Sequence, residues 1–166
     1  MWAIVPIKTF EMAKQRLANV LSASERKSLM LAMARDVLTA LSSSNLLDHI
    51  LIVSRAPEAD ALAQAFNTER FSETPSASLA DALEQATHHL VNNFNADGVF
   101  VVPADVPGVN AEELDTLISK MVTTSHAKIM FCGLVRFLKQ DSTTISKLVW
   151  QLLCVHASTY RLQELC

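Results

Sequence analysis

Glycine is scarce in this chain of 166 residues: only Gly98, Gly108 and Gly133 occur. With none before Gly98, a Walker A loop and a Gly-x-Gly-x-x-Gly fingerprint near the N-terminus are both excluded. A phosphate held there would rest on side-chain cations and backbone amides. Cysteine is equally sparse. Cys132, Cys154 and Cys166 form no Cys-x-x-Cys pair, and an odd number reads as free thiols in a reducing cytoplasm. No apolar run approaches the roughly 18 residues of a membrane span. The opening Met1-Trp2-Ala3-Ile4-Val5-Pro6 lacks a basic stretch ahead of its apolar run, so it is a poor secretory signal. Positive charge is not in excess either: 14 Lys and Arg face 17 Asp and Glu, a net −3, which argues against nucleic-acid and membrane partners. No His/Cys set has zinc spacing, and the adjacent His88 and His89 point different ways on a helix. Without a Gly-x-Ser-x-Gly elbow a hydrolase triad is unsupported.

What the chain does have is apolar residues, half of the total, with 19% charged. That suffices for one domain with a real core. Trp2 to Ile7 reads as a buried first strand. Ser22-x-x-Glu25 is a capping box, followed by Met30, Met33, Val37 and Leu41 at helical spacing. Methionines at such spacing fill a core and imply no cofactor. Ile50 to Val53 is a continuous β-branched and aliphatic run, the mark of a strand covered on both faces. Pro57, Glu58 and Asp60 suit a helix first turn, with Leu62 and Phe66 inward. Arg70 to Ser72 reads as a short strand, then Leu79, Leu83, Ala86 and Leu90 as a helical stripe. Gly98 to Val102 is a further strand stopped by Pro103. Asn110 and Glu113 read as a second capping box, with Leu114, Leu117, Ile118 and Met121 inward. Ala127 to Phe131 reads as a last strand. This alternation predicts βαβ units, hence a parallel sheet with helices on both faces. Ligands of such sheets bind outside the carboxyl ends of the strands. The loops after Ile7, Val53 and Val102 are thereby selected.

The first of these loops carries Lys8, Lys14 and Arg16, cations suited to a triphosphate. The third reads Pro103-Ala104-Asp105-Val106-Pro107, a carboxylate between two prolines at the end of an apolar strand. Mg²⁺ typically takes one or two such carboxylates and completes its shell with water and phosphate oxygens. A bland account is also open: a solvated basic stretch and an Asp that caps a turn. It corresponds to a small doubly wound regulatory or interaction domain. A receiver-type domain would need an acidic pair after the first strand, where this chain has Lys8.

The chain is uneven. Residues 1–125 hold 9 basic and 15 acidic residues, a balance of −6, and all five prolines. Residues 126–166 hold 5 and 2, a balance of +3, and all three cysteines. The tail reads either as a small helical cap or as the product of a shifted reading frame or truncated gene.

Together the segments resemble the 2-phospho-L-lactate guanylyltransferase family, including its phosphoenolpyruvate and 3-phospho-D-glycerate variants. The resemblance lies in Trp2-Ala3-Ile4-Val5-Pro6-Ile7-Lys8, Ala13-Lys14-Gln15-Arg16-Leu17, Leu21-Ser22-Ala23-Ser24-Glu25-Arg26, Leu51-Ile52-Val53-Ser54 and Val101-Val102-Pro103-Ala104-Asp105-Val106-Pro107. It covers roughly residues 1–130. It implies a Rossmann-like, GT-A-type nucleotidyltransferase sandwich of three layers over 1–130, with an incomplete C-terminal part and an atypical tail over 131–166. The implied reaction joins GMP from GTP to a phosphorylated three-carbon acid, releases pyrophosphate and feeds coenzyme F(420) biosynthesis. Lys8, Lys14 and Arg16 would act in catalysis. Pro6, Lys8, Ser54, Leu79 and Pro103 would bind the nucleotide, and Asp105 would hold Mg²⁺. The implied partners are GTP and the phospho-acid. Separately, a sheet missing its final strands would leave an unpaired edge and an exposed apolar face, with room for a homodimer. Two departures stand out. Ser78-Leu79-Ala80 replaces the family's Gly-Leu-Asn, putting Ala80 where an Asn is expected to help hold the nucleotide. The later Gly-Thr-Asn, Gly-x-x-Ser-Phe and Asp-x-Asp-Thr-Pro segments do not occur. A non-catalytic, truncated nucleotide-binding remnant is the alternative they raise.

Overall fold

The computed structural model describes residues 1–10, 14–75, 77–124 and 129–131. Among the described residues five strands alternate with four α-helices: β1 (Trp2–Pro6), α1 (Ala23–Ser42), β2 (His49–Val53), α2 (Glu58–Phe66), β3 (Glu69–Phe71), α3 (Leu79–Phe94), β4 (Val99–Val101), α4 (Ala111–Thr124) and β5 (Ile129–Phe131). A 3₁₀ turn, Gln15–Leu17, lies between β1 and α1. Every strand pair is parallel, in the order β3-β2-β1-β4-β5. The expected alternation of strands and helices is therefore observed. The tail from residue 132 on, with the helical cap read there, and residues 127 and 128 of the last strand lie outside the described residues.

The two-residue period of the strands sorts their side chains into two cores. Ala3, Val5, Ile50, Ile52 and Phe100 point to one face, where α1, α2 and α4 supply Val37, Leu38, Leu62, Leu114 and Ile118. Trp2, Ile4, Leu51, Val53, Val99 and Val101 point to the other, where α3 supplies Ala82, Ala86 and Leu90. β1, β4 and residues Ile50 to Val53 of β2 read as unbroken apolar runs because both faces are covered, whereas the edge strand β3 (Glu69, Arg70, Phe71) is polar and partly exposed. The stripe expected on α3 needs one correction. Leu79 is 41% exposed, because it is the first residue of the helix and Ala82, one turn on, takes the inward place.

Local chemistry sets the helix ends. At α1 the Glu25 N–H donates to Ser22 Oγ and the Ser22 N–H donates to the Glu25 carboxylate at 2.8 Å. α3 has the same reciprocal box between Ser78 and Asp81, which the sequence pattern shows only when Asp is admitted in the Glu position. At α4 the Glu113 N–H donates to Asn110 Oδ1 at 2.9 Å. In a chain so poor in glycine, Asn67 and Asn95 take the left-handed positions (φ 50) that close α2 and α3. Asparagine tolerates that region better than other non-glycine residues. Removing the α3 cap by Ser78→Ala should cost about 1 kcal/mol, read as a lower urea midpoint with unchanged slope. A wild-type midpoint would show that the cap contributes nothing.

Asp115 ties α4 to the end of α1. Its carboxylate accepts the Ser44 hydroxyl, and it accepts the Asn45 backbone and side-chain N–H groups at 3.1 Å each. These bonds, Ser44 first, hold its carboxyl below the ordinary 3.8. The Ser78 hydroxyl and then the Ser78 N–H do the same for Asp81. A carboxyl whose folded pKa lies below its unfolded one adds stability at pH above the unfolded value. That increment is lost as the pH falls through the folded value. The thermal midpoint should thus hold from neutrality to about pH 5 and then drop. Asp115→Asn should flatten that acid limb, and an identical limb in the variant would refute the assignment.

Candidate active site

In the order β3-β2-β1-β4-β5 the chain winds outward one way from β1 and then resumes on β1's other side with β4. The carboxyl ends of β1 and β4 therefore flank the topological switch point, where open parallel sheets form their ligand crevice. Past the strand ends the edge is held by backbone bonds. The Ile7 N–H donates to the Val53 carbonyl at 2.8 Å, the Ser54 N–H to the Phe71 carbonyl at 3.1 Å, and the Val102 N–H to the Ile4 carbonyl at 2.9 Å. Pro6, Ser54 and Pro103 consequently stand along one edge.

Two loops meet across the switch point. Phe10, 1% exposed, roots the loop after β1 in the core, and Ala104, also 1% exposed, roots the loop after β4 in the same cluster. Asp105 follows Ala104 directly. Lys14 precedes the 3₁₀ turn and has φ 51, a left-handed conformation that costs a residue with a Cβ. Lys14 Nζ donates to Asp105 Oδ2 at 2.9 Å, although the two are 91 positions apart. Their side chains are 30% and 47% exposed, so the pair faces solvent and remains open to a ligand. In that setting it adds little to stability.

The other expected site residues fall around this pair in different ways. Lys8 is exposed just beyond β1, at the same edge. Arg16 is exposed in the 3₁₀ turn. Ser54 is fully buried, and its hydroxyl accepts the Ala56 N–H at 3.1 Å, turning the chain toward α2. Leu79 opens α3. Sequence patterns missed Arg55, whose guanidinium donates to Glu73 at 3.2 Å and to the Pro75 carbonyl. With Gln85 Nε2 donating to Thr74 Oγ1 at 3.3 Å, Arg55 anchors the loop leading to Ser78 and Leu79. Only its place directly after Ser54 would have pointed to it.

Asp105 suits one kind of cation site. Among the described residues no three His, Cys, Asp or Glu side chains converge on a point, so no all-protein cage exists there. A single exposed carboxylate on an open edge is what a Mg²⁺ ion carrying waters and phosphate oxygens uses. Among the described residues no helix is long and apolar enough to cross a membrane.

A doubly wound parallel sheet with a Lys–Asp pair at its switch point defines an open, Rossmann-like α/β protein with its ligand crevice beyond β1 and β4. Two solved structures share this fold. One is described as a nucleotide-diphospho-sugar transferase from Desulfovibrio desulfuricans G20, with TM-score 0.58 and 14% identity over 73% of this chain and 54% of that one. The other is CMP:2-keto-3-deoxy-manno-octonic acid synthetase complexed with CTP, with TM-score 0.54 and 15% identity over 74% and 47%. The family described as "Guanylyl transferase CofC like" matches residues 1–129, and the chain belongs to that family. Phosphoenolpyruvate guanylyltransferase of Roseiflexus sp. (strain RS-1) is 43% identical over 115 residues, 69% of this chain and 50% of that protein. 2-Phospho-L-lactate guanylyltransferase of Methanothermobacter thermautotrophicus is 33% identical over 116 residues, 70% of this chain and 50% of that one. The chain thus spans about half the length of these curated relatives.

Proposed function

We propose that this chain binds GTP with Mg²⁺ at the β1–β4 switch point and transfers GMP to a phosphorylated three-carbon acid, releasing pyrophosphate. The acid is phosphoenolpyruvate, 2-phospho-L-lactate or 3-phospho-D-glycerate, and the product would serve coenzyme F(420) biosynthesis in the cytoplasm. The observation that carries this reading is the Lys14–Asp105 contact across the switch point, in a chain that belongs to a guanylyltransferase family.

The chemistry asks mainly for positioning and charge neutralisation. An oxygen of the acceptor's phosphate attacks the α-phosphorus of GTP, and the bond to the β-phosphate oxygen breaks as pyrophosphate leaves. That phosphate is already ionised near neutral pH, so no general base is needed. Lys8, Lys14 and Arg16 offset the triphosphate charge and stabilise the leaving pyrophosphate. Pro6, Ser54, Leu79 and Pro103 shape the edge on which the nucleoside lies. Asp105 would hold the Mg²⁺, whose chemistry is to clamp phosphate oxygens and draw off their negative charge. Residues 1–130 would form the nucleotidyltransferase-like unit and 131–166 a separate tail. A homodimer through the β5 edge belongs to the same proposal.

A second reading, binding without transfer, is favoured by Ala80 at the position where the family carries an Asn. Calorimetry with GTP and Mg²⁺ tests both readings at once, since no binding would leave the fold alone standing. Pyrophosphate release with each of the three acids then separates them: release supports transfer, and binding without release supports the second reading.

A further inference from the structure

Arg26 lies in the first turn of α1 and is only 9% exposed. No carboxylate pairs with it among the described residues. Its Nη1 donates to the Leu21 carbonyl at 2.7 Å, and its buried Nε has no partner among them. A guanidinium buried on such terms is costly, and an apolar side chain of similar volume would avoid that cost. Yet its side-chain hydrogen bond lands on the last residue before the Ser22 cap, at the end of the loop that carries the cations. From there a line of hydrogen bonds runs back into the site. The Leu21 N–H donates to the Leu17 carbonyl at 2.8 Å, and the Leu17 N–H donates to the Lys14 carbonyl at 2.8 Å. Lys14 Nζ donates to Asp105. Lys14 holds its left-handed backbone only because its surroundings impose it. On the α1 side the line of hydrogen bonds from Lys14 ends at Arg26.

We propose that Arg26 is a positioning residue: by clamping the Leu21 carbonyl to the first turn of α1 it fixes the 3₁₀ turn and sets Lys14 over Asp105. The functional consequence rests on the reading of Lys14 as a phosphate-binding cation, but the mechanical claim does not. A wholly structural role would spread its effect through the core. A positioning role confines it to the loop.

The test compares the full chain with Arg26→Met and Arg26→Lys. In Arg26→Met the amides of Leu17 and Leu21 should exchange with solvent at least about 10-fold faster, while those of Ile4 and Val101 keep their rates. Affinity for Mg²⁺ and GTP should fall by about 10-fold. Arg26→Lys, which keeps one charged donor, should recover part of both effects. If the methionine variant does not fold, the lysine variant decides alone, by intermediate exchange at Leu17 and Leu21. Wild-type exchange at Leu17 and Leu21, or acceleration shared equally by Ile4 and Val101, overturns the proposal. Should the wild type not bind GTP, the proposed function fails, and the exchange rates still decide the role of Arg26.

Discussion

Asp105→Asn should abolish the magnesium dependence of GTP binding. In the wild type, added Mg²⁺ should tighten GTP. In the variant the two titrations, with and without Mg²⁺, should coincide, at a loss of at least about 10-fold in the magnesium-containing one. Asparagine keeps the shape and the ability to accept a hydrogen bond from Lys14 Nζ, but loses the charge that a hard cation requires. The loop should not collapse, because its anchor is the buried Ala104 and not the exposed carboxylate. The thermal midpoint should therefore stay near the wild-type value, since an exposed Lys–Asp pair contributes about 0–1 kcal/mol. Any turnover should disappear with the metal. A variant that still responded to Mg²⁺ would remove Asp105 from the metal site.

Replacing Lys14 should separate stability from binding. Lys14→Ala and Lys14→Gly both delete the cation, so both should bind GTP about 10-fold more weakly, with less sensitivity to added salt. They should differ in stability. At φ 51 a Cβ costs about 1–2 kcal/mol that glycine does not incur, so the glycine variant should be the more stable of the two. Glycine's larger entropy loss on folding offsets part of that difference. A glycine variant that is no more stable than alanine would mean that the backbone at Lys14 is unstrained. Unchanged GTP affinity in both would place Lys14 outside the phosphate site.

The strands and helices were legible from side-chain pattern. Ile50 to Val53 carried the mark of a strand buried on both sides, and all four are buried. The Ser22–Glu25 box marked the start of α1, and Met30, Met33, Val37 and Leu41 its inner face. All four are buried. The Ser78–Asp81 box went unrecognised because Asp stands where Glu is usual. Leu79 was counted with the inward stripe although a first helical residue projects past the sheet. Of the candidate site, Lys8, Lys14, Arg16 and Asp105 were nameable as residue types on the loops after β1 and β4. Arg26 and Arg55 were not, because a lone arginine in a helix or loop carries no spacing that tells a buried clamp from a solvated charge.

The sequence by itself determined the alternation of elements, the parallel sheet and the family, since each of these is written in neighbouring residues or in segments kept in order. Only the tertiary structure decided which loops adjoin. Strand order is set by how two-sided apolar strands pack beneath helices, and that order put β4 beside β1. Lys14 and Asp105 were thereby brought from 91 positions apart to 2.9 Å. The pairing of distant charges depends on the packed core that carries them, and no local pattern encodes it.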